Sequence, residues 1–125
     1  MNAPVSSTPV AVYGIPNCDT VKKARTFLAA QQIDTTFHDF KKEGVTPAQC
    51  AAWAEQVGWE RLLNRKGTTW RKLDAATQNS VTDAASAIAL LCAHPSAIKR
   101  PVVVWPSGTV TVGFDADSFA QQVQS

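Results

Sequence analysis

No stretch of the 125 residues approaches the ~20 consecutive apolar residues of a membrane helix. The opening MNAPVSSTPV holds neither a basic segment nor an apolar run suited to a secretion signal. A cytoplasmic protein with no membrane partner is therefore expected. Charge of one sign is lacking too. Twelve Lys and Arg against ten Asp and Glu leave +2, too little to imply a nucleic-acid partner without a local basic patch. Cysteine is scarce: Cys18, Cys50 and Cys92 are odd in number and widely spaced, whereas a secreted disulfide framework is denser and even-numbered. Histidine is scarcer still. His38 and His94 have no soft ligand at short spacing, so no metal site is expected. What remains is an ordinary globular composition, 45% apolar and 18% charged, and a length that suits one domain over residues 1–125.

Residues 9–40 read as strand, helix, strand. PVAVYG carries a buried-strand run, DTVKKARTFLAAQQ sets Val21, Ala24 and Leu28 at helical spacing, and IDTTFHDF is a second strand. A helix between two strands with short joints predicts a parallel βαβ unit. KKEG, with Lys41 and Lys42, ends it in a solvated turn. In TPAQCAAWAEQVG, Thr46 is a natural N-cap, Pro47 occupies the first helical position and Gly58 is the stop. WERLLNRKGTTWRKL is short, aromatic and basic, broken at Gly67; DAATQNS is polar, with a break at Asn79–Ser80. TDAASAIALLCAHP predicts a helix ended by Pro95, with Ile88, Leu91 and Cys92 on one face. VVVW, a Pro-Ser-Gly turn and TVTVGF predict a hairpin, and DADSFAQQVQ a last helix. The expected class is α/β: a thioredoxin-like mixed four-stranded sheet, βαβ then ββα. Residues 41–100 form a helical insertion between 9–40 and 101–123, and residues 1–8 a flexible lead.

Chemistry gathers at YGIPNCDT. Cys18 falls where a strand hands over to a helix, the place where unpaired amides and the positive end of the helix dipole collect. Such a position lowers a cysteine pKa into the reactive range, although cysteine is equally at home as a small buried residue. Asp19 opposes ionisation; the helix amides, the Thr20 hydroxyl and a nearby arginine favour it, with Lys22 and Lys23 adding screened positive potential. Arg65 and Arg100 offer the planar donor fork that suits carboxylates and oxyanions, against the plain reading of solvated surface residues. Pro101 cannot donate a ladder hydrogen bond and so should begin its strand. Cys50 and Cys92, among alanines and leucines, read as packing. His38 and His94 read as structural, and Trp53, Trp59 and Trp70 as glue between the insertion and the sheet.

Three segments, YGIPNCDTVKKA, LLNRKGTTWRKL and HPSAIKRPVVV, together resemble the arsenate reductase (ArsC) family of thioredoxin-like proteins, over about residues 10–120. GIPNCDTVKKA and NRKGTTWRKL most resemble its YffB-like branch, proposed to be glutathione-dependent thiol reductases. The resemblance implies Cys18 as nucleophile, and Arg65 and Arg100 as anion-binding catalytic residues. It also implies a cis Pro101 that, with Asn17 and Thr20, helps bind substrate or glutathione. No bound cofactor is implied; glutathione is the co-substrate and glutaredoxin a candidate partner. Family arsenate reductases use a third arginine where this sequence has Gly113, so arsenate reduction is expected to be weak. The alternatives are a genuine arsenate reductase, with Lys99 or Lys66 in place of that arginine, and an Spx-like regulator that binds RNA polymerase. Two-cysteine relatives of the Spx type carry Cys-x-x-Cys; the position three after Cys18 is Val21.

Overall fold

Alternation and periodicity set the first half of the chain. In the computed structural model, which describes residues 9–124, β1 (Val10–Gly14) buries alternate residues Val10, Val12 and Gly14. The expected lead at 1–8 lies outside the described residues. Helix α1 (Asp19–Ala30) buries Val21, Ala24 and Leu28, the face that the 3.6-residue spacing predicts. It stops two residues before the expected end, although no glycine is present to stop it. Gln32 takes the left-handed conformation (φ 58°). Its N–H donates to the Ala29 carbonyl and that of Ile33 to the Leu28 carbonyl, each at 3.0 Å, which satisfies the last-turn carbonyls as a Schellman cap does. β2 (Thr35–Asp39) follows, ending before Phe40 rather than including it.

The sheet order is β2-β1-β3-β4, with β3 Val102–Val104 and β4 Val110–Val112. β1 and β2 are neighbours joined by the α1 crossover, the connection that parallel neighbours require. β3 is antiparallel to β1, with Tyr13 opposite Val102 and Ala11 opposite Val104. β4 is antiparallel to β3, with Val102 opposite Val112. A last helix spans Ala116–Gln124. Val10, Val12, Ala24, Leu28, Val103, Trp105 and Phe119 form one core cluster. Phe119 is its keystone, meeting Trp105, Phe114 and Phe27 edge-on at centroid distances of 5.0, 4.9 and 5.9 Å.

The chain divides into two compact units, one running to His38 and resuming at Arg100, the other Asp39–Lys99. The second unit is helical. It begins with α2 (Phe40–Glu43), where a turn was expected; Asp39 caps it by accepting from the Lys41 N–H at 2.8 Å. Helix α3 (Pro47–Val57) has the predicted Thr46 cap, Pro47 start and Gly58 stop, with Gln49 completing a reciprocal capping box. The basic-aromatic stretch resolves into α4 (Trp59–Leu62) and α5 (Thr68–Arg71), then α6 (Ala75–Asn79). Helix α7 (Ala84–Ala93) is capped by Asp83 and ends at His94. Its buried residues are Ala87, Leu90 and Leu91; Ile88 and Cys92 are only half-buried, which corrects the expected Ile88/Leu91/Cys92 face. Leu63 bridges Ile98, the Asn64 N–H donates to the Ala97 carbonyl at 2.8 Å and the Lys99 N–H to the Leu62 carbonyl at 2.7 Å. That clamp fixes the chain just before Arg65. Phe40, Trp53, Leu62, Leu91 and Ile98 are buried in this unit.

Among the described residues, no helix is long and apolar enough to cross a membrane. No three His, Cys, Asp or Glu side chains gather among them as a metal ion would need.

Candidate active site

Strand register brings the first unit's site residues together. Because Tyr13 stands opposite Val102, the loop leaving β1 after Gly14 emerges beside the residues that precede β3. Those residues are Arg100 and Pro101, joined by a cis peptide bond. On the other side of β3, the Gly113 N–H donates to the Pro101 carbonyl at 2.9 Å, one step beyond the β3–β4 ladder. The cysteine loop, the cis-proline and Gly113 therefore share one end of three adjacent strands.

Gly14 makes the entry to this loop possible. A Cβ on it would lie 2.8 Å from Val21 Cγ2, closer than side chains tolerate, so α1 sits against bare backbone here. Cys18 then occupies the N-cap position in an extended conformation (φ −137°, ψ 123°), half-buried and without a disulfide. Its sulfur forms no completed cap hydrogen bond, so the amides ahead of it act as aligned dipoles. Partial burial is the largest single influence and pushes the thiol pKa up. The Val21 amide, the Arg100 guanidinium and the Thr20 amide together outweigh it, and the pKa falls below the usual thiol value. The Thr20 contribution comes from its main-chain N–H, not from the hydroxyl that the sequence suggested. Lys22 and Lys23 are exposed, and the cation that acts on the sulfur is Arg100.

The remaining expected site residues divide between the units. Asn17 and Thr20 are exposed beside Cys18, and Pro101 is buried with its carbonyl engaged by Gly113. Arg65 belongs to the second unit, exposed, with its guanidinium carbon 5.6 Å from the Trp59 ring and 5.9 Å from that of Trp70. These two indoles thus flank a cation, a role that reading them as glue to the sheet missed. The spacing Trp59…Arg65…Trp70 around the Gly67 break was the available signal. Trp53 is buried in the same unit against Phe40, at 6.2 Å between centroids. His38 stacks on Tyr13 at 4.5 Å, which gives it a packing role in the first unit. The contributions of Gly14 and the Val21 amide were also missed, because both act through backbone rather than through side-chain chemistry.

A mixed four-stranded sheet with a helix-capping cysteine and a cis-proline at one end defines a thioredoxin-like protein. The chain belongs to the ArsC family, which it matches over residues 13–122. It is 44% identical to the solved YFFB protein, which aligns with a TM-score of 0.86 over 90% of this chain and 97% of that one. An arsenate reductase (ArsC) related protein from Brucella melitensis is also 44% identical, with a TM-score of 0.72 over 98% of this chain and all of that one. An uncharacterised protein of Haemophilus influenzae is 38% identical over 110 residues, 88% of this chain and 95% of that protein.

Proposed function

We propose that this protein is a glutathione-dependent thiol reductase that works through one cysteine. The observation that supports it best is the lowered pKa of a half-buried Cys18 between helix amides and the Arg100 guanidinium. The thiolate is the nucleophile that disulfide exchange requires, and a lowered pKa enlarges its share.

The Cys18 thiolate attacks one sulfur of an oxidised substrate, a bond forms to Cys18 Sγ, and the other sulfur leaves as a thiolate that takes a proton. With Val21 where two-cysteine relatives place a second thiol, the intermediate is a mixed disulfide that waits for an external thiol. A glutathione or glutaredoxin thiol then gives its proton to solvent and attacks the substrate sulfur, forming a new disulfide there and expelling Cys18 as the thiolate. Arg100 holds that leaving thiolate. Asn17 and Thr20 add polar contacts at the mouth of the loop.

Oxidised glutathione, applied to the native protein and followed by tryptic mapping, tests the reading. Cys18 lies in the peptide that ends at Lys22. One glutathione on that peptide, released by excess reduced glutathione and absent in Cys18→Ser, is the expected result. Failure of Cys18 to form the adduct, or a Cys18→Ser protein that keeps full thiol-dependent turnover, would overturn it. A regulator that binds RNA polymerase would show no turnover in this assay.

A further inference from the structure

Two cysteines outside the proposed site come together in the second unit. Cys50 sits in α3, fully buried, and Cys92 sits in α7, half-buried, 42 positions later. Their sulfurs are 3.9 Å apart, in van der Waals contact. From this contact we infer that Cys50 and Cys92 form an oxidant-driven disulfide that ties α3 to α7, a modification site separate from Cys18.

Geometry assigns each sulfur its part. A disulfide needs its sulfurs about 2.05 Å apart, so the pair must close by roughly 2 Å, within reach of side-chain rotation on two packed helices. Cys92 is open to solvent and Cys50 is not, so a small disulfide such as oxidised glutathione meets Cys92 first. Cys92 loses its proton to solvent and its thiolate attacks one glutathione sulfur; the other glutathione leaves as a thiolate and is protonated. Cys50 then loses its proton and attacks Cys92 Sγ, expelling the second glutathione, which is protonated in turn. Two protein thiols are oxidised and one oxidised glutathione is reduced to two thiols. The second step is slow at neutral pH, since burial pushes the Cys50 thiol pKa up. Oxidation is therefore gated by pH and time, unlike the exchange at Cys18.

The test uses folded Cys18→Ser protein, so that its outcome does not depend on the proposed activity. Oxidised glutathione is applied at pH 7 and pH 9, and intact mass and non-reduced tryptic maps are followed. Trypsin places Cys50 in residues 43–61 and Cys92 in 73–99, so a linked pair is unambiguous. The expected product has lost two hydrogens, retains no glutathione, joins those two peptides and forms faster at pH 9. Adding Cys50→Ala should instead trap one glutathione on Cys92. The cross-linked protein should melt roughly 5–15 °C higher, the scale that closing a loop of this length implies. A stable glutathione adduct on Cys92 with Cys50 present, no reaction at either pH, or cross-linking only in denaturant would each refute the inference.

Discussion

The resemblance to family arsenate reductases sets Gly113 at the position of their third arginine, and installing an arginine there sets two magnitudes against each other. Gly113 has φ 78°, a conformation that costs a side-chain-bearing residue about 1–2 kcal/mol. Its N–H donates to the Pro101 carbonyl at 2.9 Å. A swing to negative φ would relieve the strain only by giving up that bond, beside the cis-proline. Gly113→Ala should therefore lose about 1–2 kcal/mol, roughly 4–8 °C in Tm for a chain of this length. Gly113→Arg carries the same penalty and adds a cation. One charged hydrogen bond to an oxyanion contributes ~1.5–3 kcal/mol, roughly 10–150-fold in arsenate affinity. Urea unfolding measures the first term. Arsenate-dependent NADPH oxidation coupled through glutathione, glutaredoxin and glutathione reductase measures the second. The expected pattern is equal destabilisation of both variants, weak arsenate turnover by the wild type and by Ala, and a gain only with Arg. An Ala variant as stable as the wild type would remove the backbone constraint. Robust wild-type arsenate turnover, or a folded Arg variant with no gain, would show that a third cation is not what arsenate lacks here.

Arg100→Met should raise the pH at which Cys18 is alkylated by iodoacetamide, read on the peptide ending at Lys22; an unmoved half-point would mean that Arg100 does not hold the thiolate. Because the folded pKa of Cys18 is depressed, the unfolded chain binds more protons between that value and the unfolded cysteine value of about 8.5, so stability rises with pH there and is lost as pH falls through the folded pKa. Cys18→Ser should flatten that rise in urea titrations, and an unchanged slope would contradict the shift. Gly14→Ala drives a Cβ to 2.8 Å from Val21 Cγ2 and should cost about 1–3 kcal/mol. Val21→Ala should relieve the clash, so a double variant whose loss equals the sum of the single losses would argue against it.

The fold was legible where local stereochemistry and burial agree. Thr46, Pro47 and Gly58 mark both ends of α3 by capping chemistry that needs no tertiary context, and the structure uses all three. The apolar stripe Val21/Ala24/Leu28 was visible because Lys22, Lys23 and Arg25 fall between its members. Helix α7 has no such contrast. AASAIALLCA is apolar nearly all round, so periodicity could not choose its inner face, and packing in the second unit selected Ala87, Leu90 and Leu91. The end of α1 was hidden for a different reason: Gln32 does the work usually left to glycine.

The three cysteines carry the same lesson into chemistry. Cys18 announces itself by standing at a strand–helix junction, where the terminal amides are fixed by chain geometry alone. The charge beside it is not local: Arg100 arrives only through the register of β1 on β3, a pairing no window of sequence contains. Cys50, one turn inside a helix, is cut off from such amides and is desolvated, so the same thiol is driven the opposite way. Its partner also comes from afar, on α7 rather than on its own helix. Residue type and neighbouring sequence thus fix where a thiol can be reactive, while long-range packing decides the sign of its pKa shift and which second group it meets. In this chain those two decisions leave Cys18 with a lowered pKa where β1 hands over to α1, and set Cys50 and Cys92 in contact between two helices.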